Sequence, residues 1–286
     1  MMQLPGGISN DGCLKRSFCF KPVTGQLELA LKECATQASH HTALTHSEQV
    51  TNVLCEALEM LADEAVNRTR IKELCVGDRQ FLMRRLAIHI DDALVWLATK
   101  CGACGESFDV SLRYSELPVK PAGAQFPTTV IKLDQGQFNV RVPNGLDQEF
   151  IAAIDNDDEA TSVLLSRIIS LAGKASNQTD ETVEIDIAGI NKNQLALIEE
   201  VVELMAPEVA TEVLATCPHC NTGNRVPVSP YSCMEQTGNN LYLEIHALAF
   251  NYHWSEHEIL AMPRDRRHVY LGLIDRGHKL NSNNNI

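Results

Sequence analysis

The chain has 286 residues, 44% of them apolar and 5% aromatic, with 24 basic against 37 acidic side chains and a net charge of −13. So acidic a surface disfavours DNA, RNA or anionic membrane as the partner, because phosphate neutralisation needs a basic face. No apolar run reaches the roughly 20 residues that span a bilayer, and the opening residues carry neither a basic region nor an apolar stretch, so no membrane span and no secretory leader are expected. Ten cysteines without an export signal point to thiols and metal ligands rather than disulfides.

Residues 1–26 are punctuated by glycine and proline and lack periodicity, which predicts a flexible N-terminal arm. A helical region follows over 27–75. Leu27, Leu31, Cys34 and Ala38 share one face, and a helix capped by Ser47 or Thr51 carries Val50, Val53, Leu54, Leu58 and Leu61. A third helix is expected from Asp78 to Ala98, with Phe81, Leu82, Leu86, Ile90, Leu94 and Leu97 as its apolar set. From Cys104 the pattern changes. Residues 108–112 alternate with period two, as a half-buried strand does. Ile131 to Val142 reads as a hairpin turning near Gln135-Gly136. Leu146 to Ile169 reads as helical, with Leu146, Phe150, Ile151 and Ile154 on one face. Residues 173–181 read as a polar linker and Val183 to Ile187 as a strand. Asn191 and Gln194 form a capping box for a helix carrying Leu195, Ile198, Val202 and Met205, which Pro207 ends. Residues 238–250 are helical again. Ser255 caps the next short helix with Glu258 as its third residue, flanked by Trp254 and Ile259 at the two staple positions. Pro263 suits the first turn of a last helix. The tail, 276–286, reads as disordered.

The sharpest chemical signal is a pair of matched motifs, Cys101-Gly102-Ala103-Cys104 and Cys217-Pro218-His219-Cys220. Two residues between cysteines let both thiolates face one metal from a tight knuckle. The residue after the second cysteine often has positive φ in such a turn. Gly105 adopts that freely and Asn221 better than most. Four thiolates from two knuckles make a tetrahedral structural zinc site. The long separation then implies a zinc-ribbon-like core carrying an insertion over 113–208. A redox pair, an iron–sulfur site and unbound buried thiols are the competing readings. A four-ligand zinc keeps no open position for water, so the metal speaks for architecture rather than catalysis. No phosphate-binding glycine loop, nucleophile elbow or zinc-protease motif is present, and no catalytic residue is assigned. In the last helix, Arg264, Arg266 and Arg267 lie beside Tyr270. Arginine and tyrosine are enriched at interface hot spots, which makes these four a candidate partner surface.

Several of these stretches together resemble one family. They are Gly77-Asp78-Arg79 with the helix running to Leu86, the two cysteine knuckles, and the C-terminal stretch Glu244 to Ala249, Tyr252 to Glu256, Ile259 to Met262, Arg266-Arg267 and Tyr270-Leu271. Their order is similar to that of T-even-type phage baseplate proteins, also described as baseplate hub assembly proteins, with relatives in contractile injection systems. The resemblance spans about residues 75–275. It implies a non-enzymatic assembly protein, chaperone or structural component, stiffened by zinc. It implies baseplate hub or other tail proteins as partners. It places the work in the bacterial host's cytoplasm and, for a retained component, in the virion or injection-particle baseplate. The expected fold is α+β: a helical N-terminal part, a zinc-ribbon-like domain over 76–275 and closing C-terminal helices. The rival readings are a zinc-ribbon nucleic-acid-binding module and a thiol-disulfide protein.

Overall fold

The computed structural model describes residues 2–10, 12–36, 44–172, 190–232 and 241–283. It is α+β, with several small antiparallel sheets among helices. The expected strand at Val183–Ile187 and the linker before it lie outside the described residues.

Residues 2–10 and 13–20 are paired strands, not an arm. β1 (Met2–Asn10) pairs with β2 (Cys13–Phe20), which pairs with β3 (Leu58–Leu61), and β3 with β4 (Glu64–Ala65). The glycines that suggested disorder make a bulge. The register of β1 against β2 shifts between Gln3 and Ile8, and Gly7 sits at φ +110. That bend points two backbone N–H groups at one carboxylate: Gly6 and Gly7 both donate to Asp78 at 2.8 Å. A Cβ on Gly6 would lie 2.7 Å from that carboxylate.

α1 (Gly25–Thr36) and α2 (His46–Ala57) pack against each other. Thr45, rather than Ser47 or Thr51, caps α2 in a capping box with Glu48. The chain leaves the helix at Ala57, so Leu58 and Leu61 are strand residues. After the short α3 (Arg68–Glu73), α4 (Val76–Ile90) ends eight residues before the sequence pattern does. Leu94 falls just before β5 (Val95–Lys100) and Leu97 within it, where alternation leaves Trp96 64% exposed. An apolar set compatible with both periods is decided by what it packs on, not by spacing alone.

The Gly77-Asp78-Arg79 run at the start of α4 joins three parts of the molecule. A Cβ on Gly77 would sit 2.0 Å from the carbonyl oxygen of Pro207, so only glycine lets the two backbones meet. Asp78 holds the N-terminal bulge, as above. Arg79 is fully buried and donates to the Ser47 carbonyl at 2.7 Å, to Thr51 Oγ1 at 3.0 Å and to the Ile71 carbonyl at 3.2 Å. These bonds serve Nη1 and Nη2, while the buried Nε finds no partner and no carboxylate pairs with the cation among the described residues. The main core forms around this junction, from Leu4, Phe18, Leu54, Leu61, Leu82 and their neighbours.

The expected insertion builds a second core of its own. β8 (Thr128–Leu133), β9 (Gly136–Arg141) and β10 (Ile169–Leu171) form its sheet, and β7 (Val119–Lys120) pairs with β11 (Glu208–Val209). The expected single helix over 146–169 is two, α5 (Gly145–Ile151) and α6 (Asp157–Ile168). Leu146 and Phe150 are 41% and 54% exposed rather than core residues. The buried carboxylate of Asp147 ties this corner together. It accepts from Arg141 at 2.6 and 2.8 Å and from Arg167 at 2.8 Å. α7 (Lys192–Met205) packs on the sheet through Gln194, Ile198 and Met205, with the Asn191–Gln194 capping box formed.

The C-terminal helices are α8 (Leu241–Tyr252), α9 (Glu256–Ala261) and α10 (Arg264–Asn283). The tail expected to be disordered from residue 276 is helical through Asn283. His253, at φ +58, ends α8, and its backbone N–H still bonds the Ala249 carbonyl.

Candidate metal centre

Two hairpins carry the two knuckles. β5 pairs with β6 (Ser107–Leu112) from Val95↔Leu112 to Lys100↔Ser107. β12 (Glu212–Thr216) pairs with β13 (Gly223–Pro227) from Glu212↔Pro227 to Thr216↔Gly223. Each knuckle is the turn of its hairpin, and the two turns repeat one hydrogen-bond pattern. Cys101 N donates to the Glu106 carbonyl at 2.9 Å and Gly105 N to the Cys101 carbonyl at 3.0 Å. Cys217 N donates to Thr222 and Asn221 N to Cys217, both at 2.9 Å. The fifth residue of each turn has positive φ: Gly105 at +78 and Asn221 at +59. Asparagine is among the residues that tolerate this region, which is why it can stand where glycine serves in the first knuckle.

The knuckles face one another. The four Sγ atoms of Cys101, Cys104, Cys217 and Cys220 all lie within 4.8 Å of one another. Cys101 Sγ is 3.6 Å from Cys220 Sγ, and Cys104 Sγ is 3.8 Å from Cys217 Sγ. A zinc ion with Zn–S bonds near 2.3 Å places tetrahedral sulfurs about 3.8 Å apart. Disulfide sulfurs lie near 2.05 Å, so neither cross-knuckle contact is a disulfide. The donor set therefore fits one tetrahedral, thiophilic metal ion. Cys101 and Cys217 are buried, on a small apolar base with Phe108, Val110 and Ala215.

The local electrostatics favour thiolates unequally. The backbone N–H groups of Cys104 and Ala103 lower the Cys101 thiol to about 6. The Thr222 hydroxyl and then its backbone N–H lower Cys220. Cys104 receives the Glu106 N–H, which lowers it, but burial and the neighbouring sulfurs push it up to about 12. Four sulfurs this close cannot all ionise without a cation between them, and a bound metal ion is what removes that opposition.

Sequence reasoning missed Asn224. Its Oδ1 accepts from Gly102 N at 3.0 Å in the opposite knuckle, while its Nδ2 donates to the Thr222 carbonyl at 2.8 Å and approaches Cys101 Sγ at 3.6 Å. It staples the turns to each other and supports a ligand from outside the sulfur shell. Asparagine after a knuckle has no signature spacing, so nothing in the sequence marked it.

The proposed partner residues part company. Arg267 is fully buried. It binds Glu28 through Nη2, Glu244 Oε2 at 3.1 Å and the Met262 carbonyl at 3.0 Å. Arg264 reaches Glu28 at 2.8 Å and Asp91 at 3.3 Å. These two arginines tie the C-terminal helices to α1; Arg267 is buried, while Arg264 is half-buried. Glu28, 4% exposed, is the group that sequence reasoning overlooked, because its partners lie more than 230 positions away. Arg266 alone of the three is exposed, and it lies 5.9 Å over the Tyr270 ring. Tyr270 in turn meets Trp254 edge-on at 4.8 Å, and Trp254 stacks on Tyr252 at 4.6 Å. Ser255 and Glu258 exchange backbone and side-chain hydrogen bonds, at 3.3 and 2.9 Å. The Ser255 hydroxyl, then its N–H, hold the Glu258 carboxyl below its usual range.

No helix of the described residues is long and apolar enough to cross a membrane. No curated protein and no solved structure matches the chain. A family model described as T4 bacteriophage base plate protein matches residues 20–229. That span contains both cysteine knuckles and the Gly77-Asp78-Arg79 junction, and it begins well before residue 75, where the resemblance started. It stops short of the C-terminal helices that carried part of that resemblance. With most of its length matched, the chain belongs to the T4-type phage baseplate protein family.

Proposed function

We propose that this baseplate protein works by binding rather than by turnover, as a hub assembly protein of a contractile tail, with one zinc ion held by Cys101, Cys104, Cys217 and Cys220. The observation that carries the reading is the four-thiol cluster where two hairpins meet, inside the span that matches the baseplate family. Zinc there supplies charge compensation and a cross-link between residues far apart in sequence. The protein supplies two preformed turns and the Asn224 staple. All four positions are taken by protein sulfur, so the site has no place for a substrate. On this reading the zinc-ribbon unit holds the two halves of the chain in one geometry while outer faces bind hub or other tail proteins. The exposed Arg266–Tyr270 edge is one such face. Assembly takes place in the host cytoplasm, and a retained copy belongs to the finished baseplate. The net charge of −13 counts against the nucleic-acid alternative.

Two measurements test the proposal. Elemental analysis of the reduced protein should find about one zinc per chain, because a four-thiolate set closes around one ion, and Cys217→Ser should lose it together with thermal stability. Particles made without this chain should lack complete baseplates by electron microscopy, and the wild-type gene in trans should restore them. Complete, infectious particles in its absence would refute the assembly role. Metal-free wild-type protein of unchanged stability would refute the zinc.

A further inference from the structure

The outer face of α7 is built against its own helix. Leu197 and Leu204, two turns apart on one stripe, are 40% and 64% exposed. Glu200 adjoins that stripe, and Glu203 and Glu199 lie farther round the same solvent-facing side. None of these three carboxylates has an ion pair or side-chain hydrogen bond among the described residues. Lys120, the nearby cation, instead donates to the Glu203 backbone carbonyl at 2.5 Å and pairs with Glu208 at 4.0 Å. Glu199 and Glu203 stand four apart and Glu200 and Glu203 three apart, spacings at which like charges repel on a helix. Glu203 lies in the last turn of α7, where the helix dipole disfavours negative charge. Its one cation, Lys192, sits at the N-terminus, where positive charge is disfavoured. The stretch 173–189 just before α7 carries one cation, Lys174, against Asp180, Glu181, Glu184 and Asp186.

Folding alone gains nothing from this arrangement, which pairs exposed leucines with unpaired, mutually repelling acids. A partner with the complementary pattern would relieve both features. We propose that the outer face of α7 is the docking site for a basic amphipathic helix of another protein, whose apolar ridge covers Leu197 and Leu204 and whose flanking lysines or arginines meet Glu199, Glu200 and Glu203. The inference rests on the reading of the chain as a protein that works by binding. The outward stripe of α8, Leu243 and Phe250, is more exposed, at 68% and 72%, but has no run of unpaired like charges beside it that would select an occupant.

The test uses the full chain and a labelled synthetic helix of about three heptads, with leucine at a and d and lysine at e and g. The comparator has glutamate in place of lysine. Fluorescence anisotropy should show binding of the lysine peptide and not of the glutamate peptide. Glu199→Gln/Glu200→Gln/Glu203→Gln should weaken binding at least about tenfold, or ~1.4 kcal/mol, and Leu197→Ser/Leu204→Ser should weaken it comparably. A control removing three exposed carboxylates elsewhere, Glu59→Gln/Glu116→Gln/Asp275→Asn, should change it less than about twofold, because these charges do not border the stripe. The glutamine triple variant should melt at or above the wild-type temperature, since it removes repulsion. An equal loss in the control, unchanged binding by the leucine variant, or a lower melting temperature in the glutamine variant would overturn the proposal. Failure of the assembly role shows separately: particles complete without this chain leave the peptide result standing.

Discussion

Removing Arg267 should undock the C-terminal helices while the rest of the chain stays folded. Its guanidinium, fully buried, makes two charge-assisted bonds and one to a neutral carbonyl. Bonds to charged groups are worth about 1.5–3 kcal/mol each and the neutral one about 1. Against that stands the cost of burying the guanidinium, which the variant no longer bears. Neither carboxylate is orphaned: Glu28 keeps Arg264 at 2.8 Å and Glu244 keeps His268 at 3.3 Å. Arg267→Ala should therefore fall at or below the ~3–5 kcal/mol typical of a one-sided break in a buried ion pair. We take ~3 kcal/mol, which corresponds to an opening equilibrium raised roughly 100-fold. Arg267→Met restores the buried stem without its charge and should cost less. Glu28→Ala should cost more, because it strips the shared carboxylate from two arginines at once. Native-state hydrogen exchange read by mass spectrometry is the assay. Protection should drop in α8 and α10 and stay unchanged in α4, as expected for a locally opening unit. A uniform loss across the chain, a change under ~1 kcal/mol, or a smaller effect from Glu28→Ala than from Arg267→Ala would refute the reasoning.

Three further expectations follow from single contacts. Asn224→Ala should weaken zinc affinity about 10–100-fold in a chelator competition, the range for lost ligand support, while leaving all four thiols in place; unchanged affinity would remove its stapling role. Gly77→Ala should destabilise the protein by at least ~1–3 kcal/mol in urea unfolding, despite the ~1 kcal/mol that alanine gains in a helix, because its Cβ would meet the Pro207 carbonyl oxygen at 2.0 Å. A stabilised variant would show that the backbones separate freely. The third concerns acid. Burial alone would raise the Asp147 carboxyl, but bonds from Arg141, the Asn144 N–H and Arg167 bring it below its ordinary 3.8. A group lowered on folding adds stability that is full above its unfolded value and drains away as pH falls through the folded one. The melting temperature should thus fall more steeply below pH 3.8 in the wild type than in Asp147→Asn, and parallel curves would contradict this.

Short-range chemistry was legible in the sequence. Two residues between cysteines and a φ-tolerant follower specify a knuckle whatever surrounds it, and both turns formed with Gly105 and Asn221 at positive φ. Capping boxes are equally local, and those at Asn191 and Ser255 stand where their side chains placed them. What tertiary structure decided depends on partners far along the chain. Gly6 and Gly7 looked like loose punctuation until Asp78 supplied an acceptor for both amides. Leu97 fitted a helical stripe, yet pairing of β5 with β6 made it a strand residue. Arg267 carried the composition of a surface hot spot, and it is buried because Glu28 and Glu244 wait inside. A charge pattern shows which groups seek a counter-charge. Only the packing of distant segments determines whether solvent, another protein or the chain itself provides it.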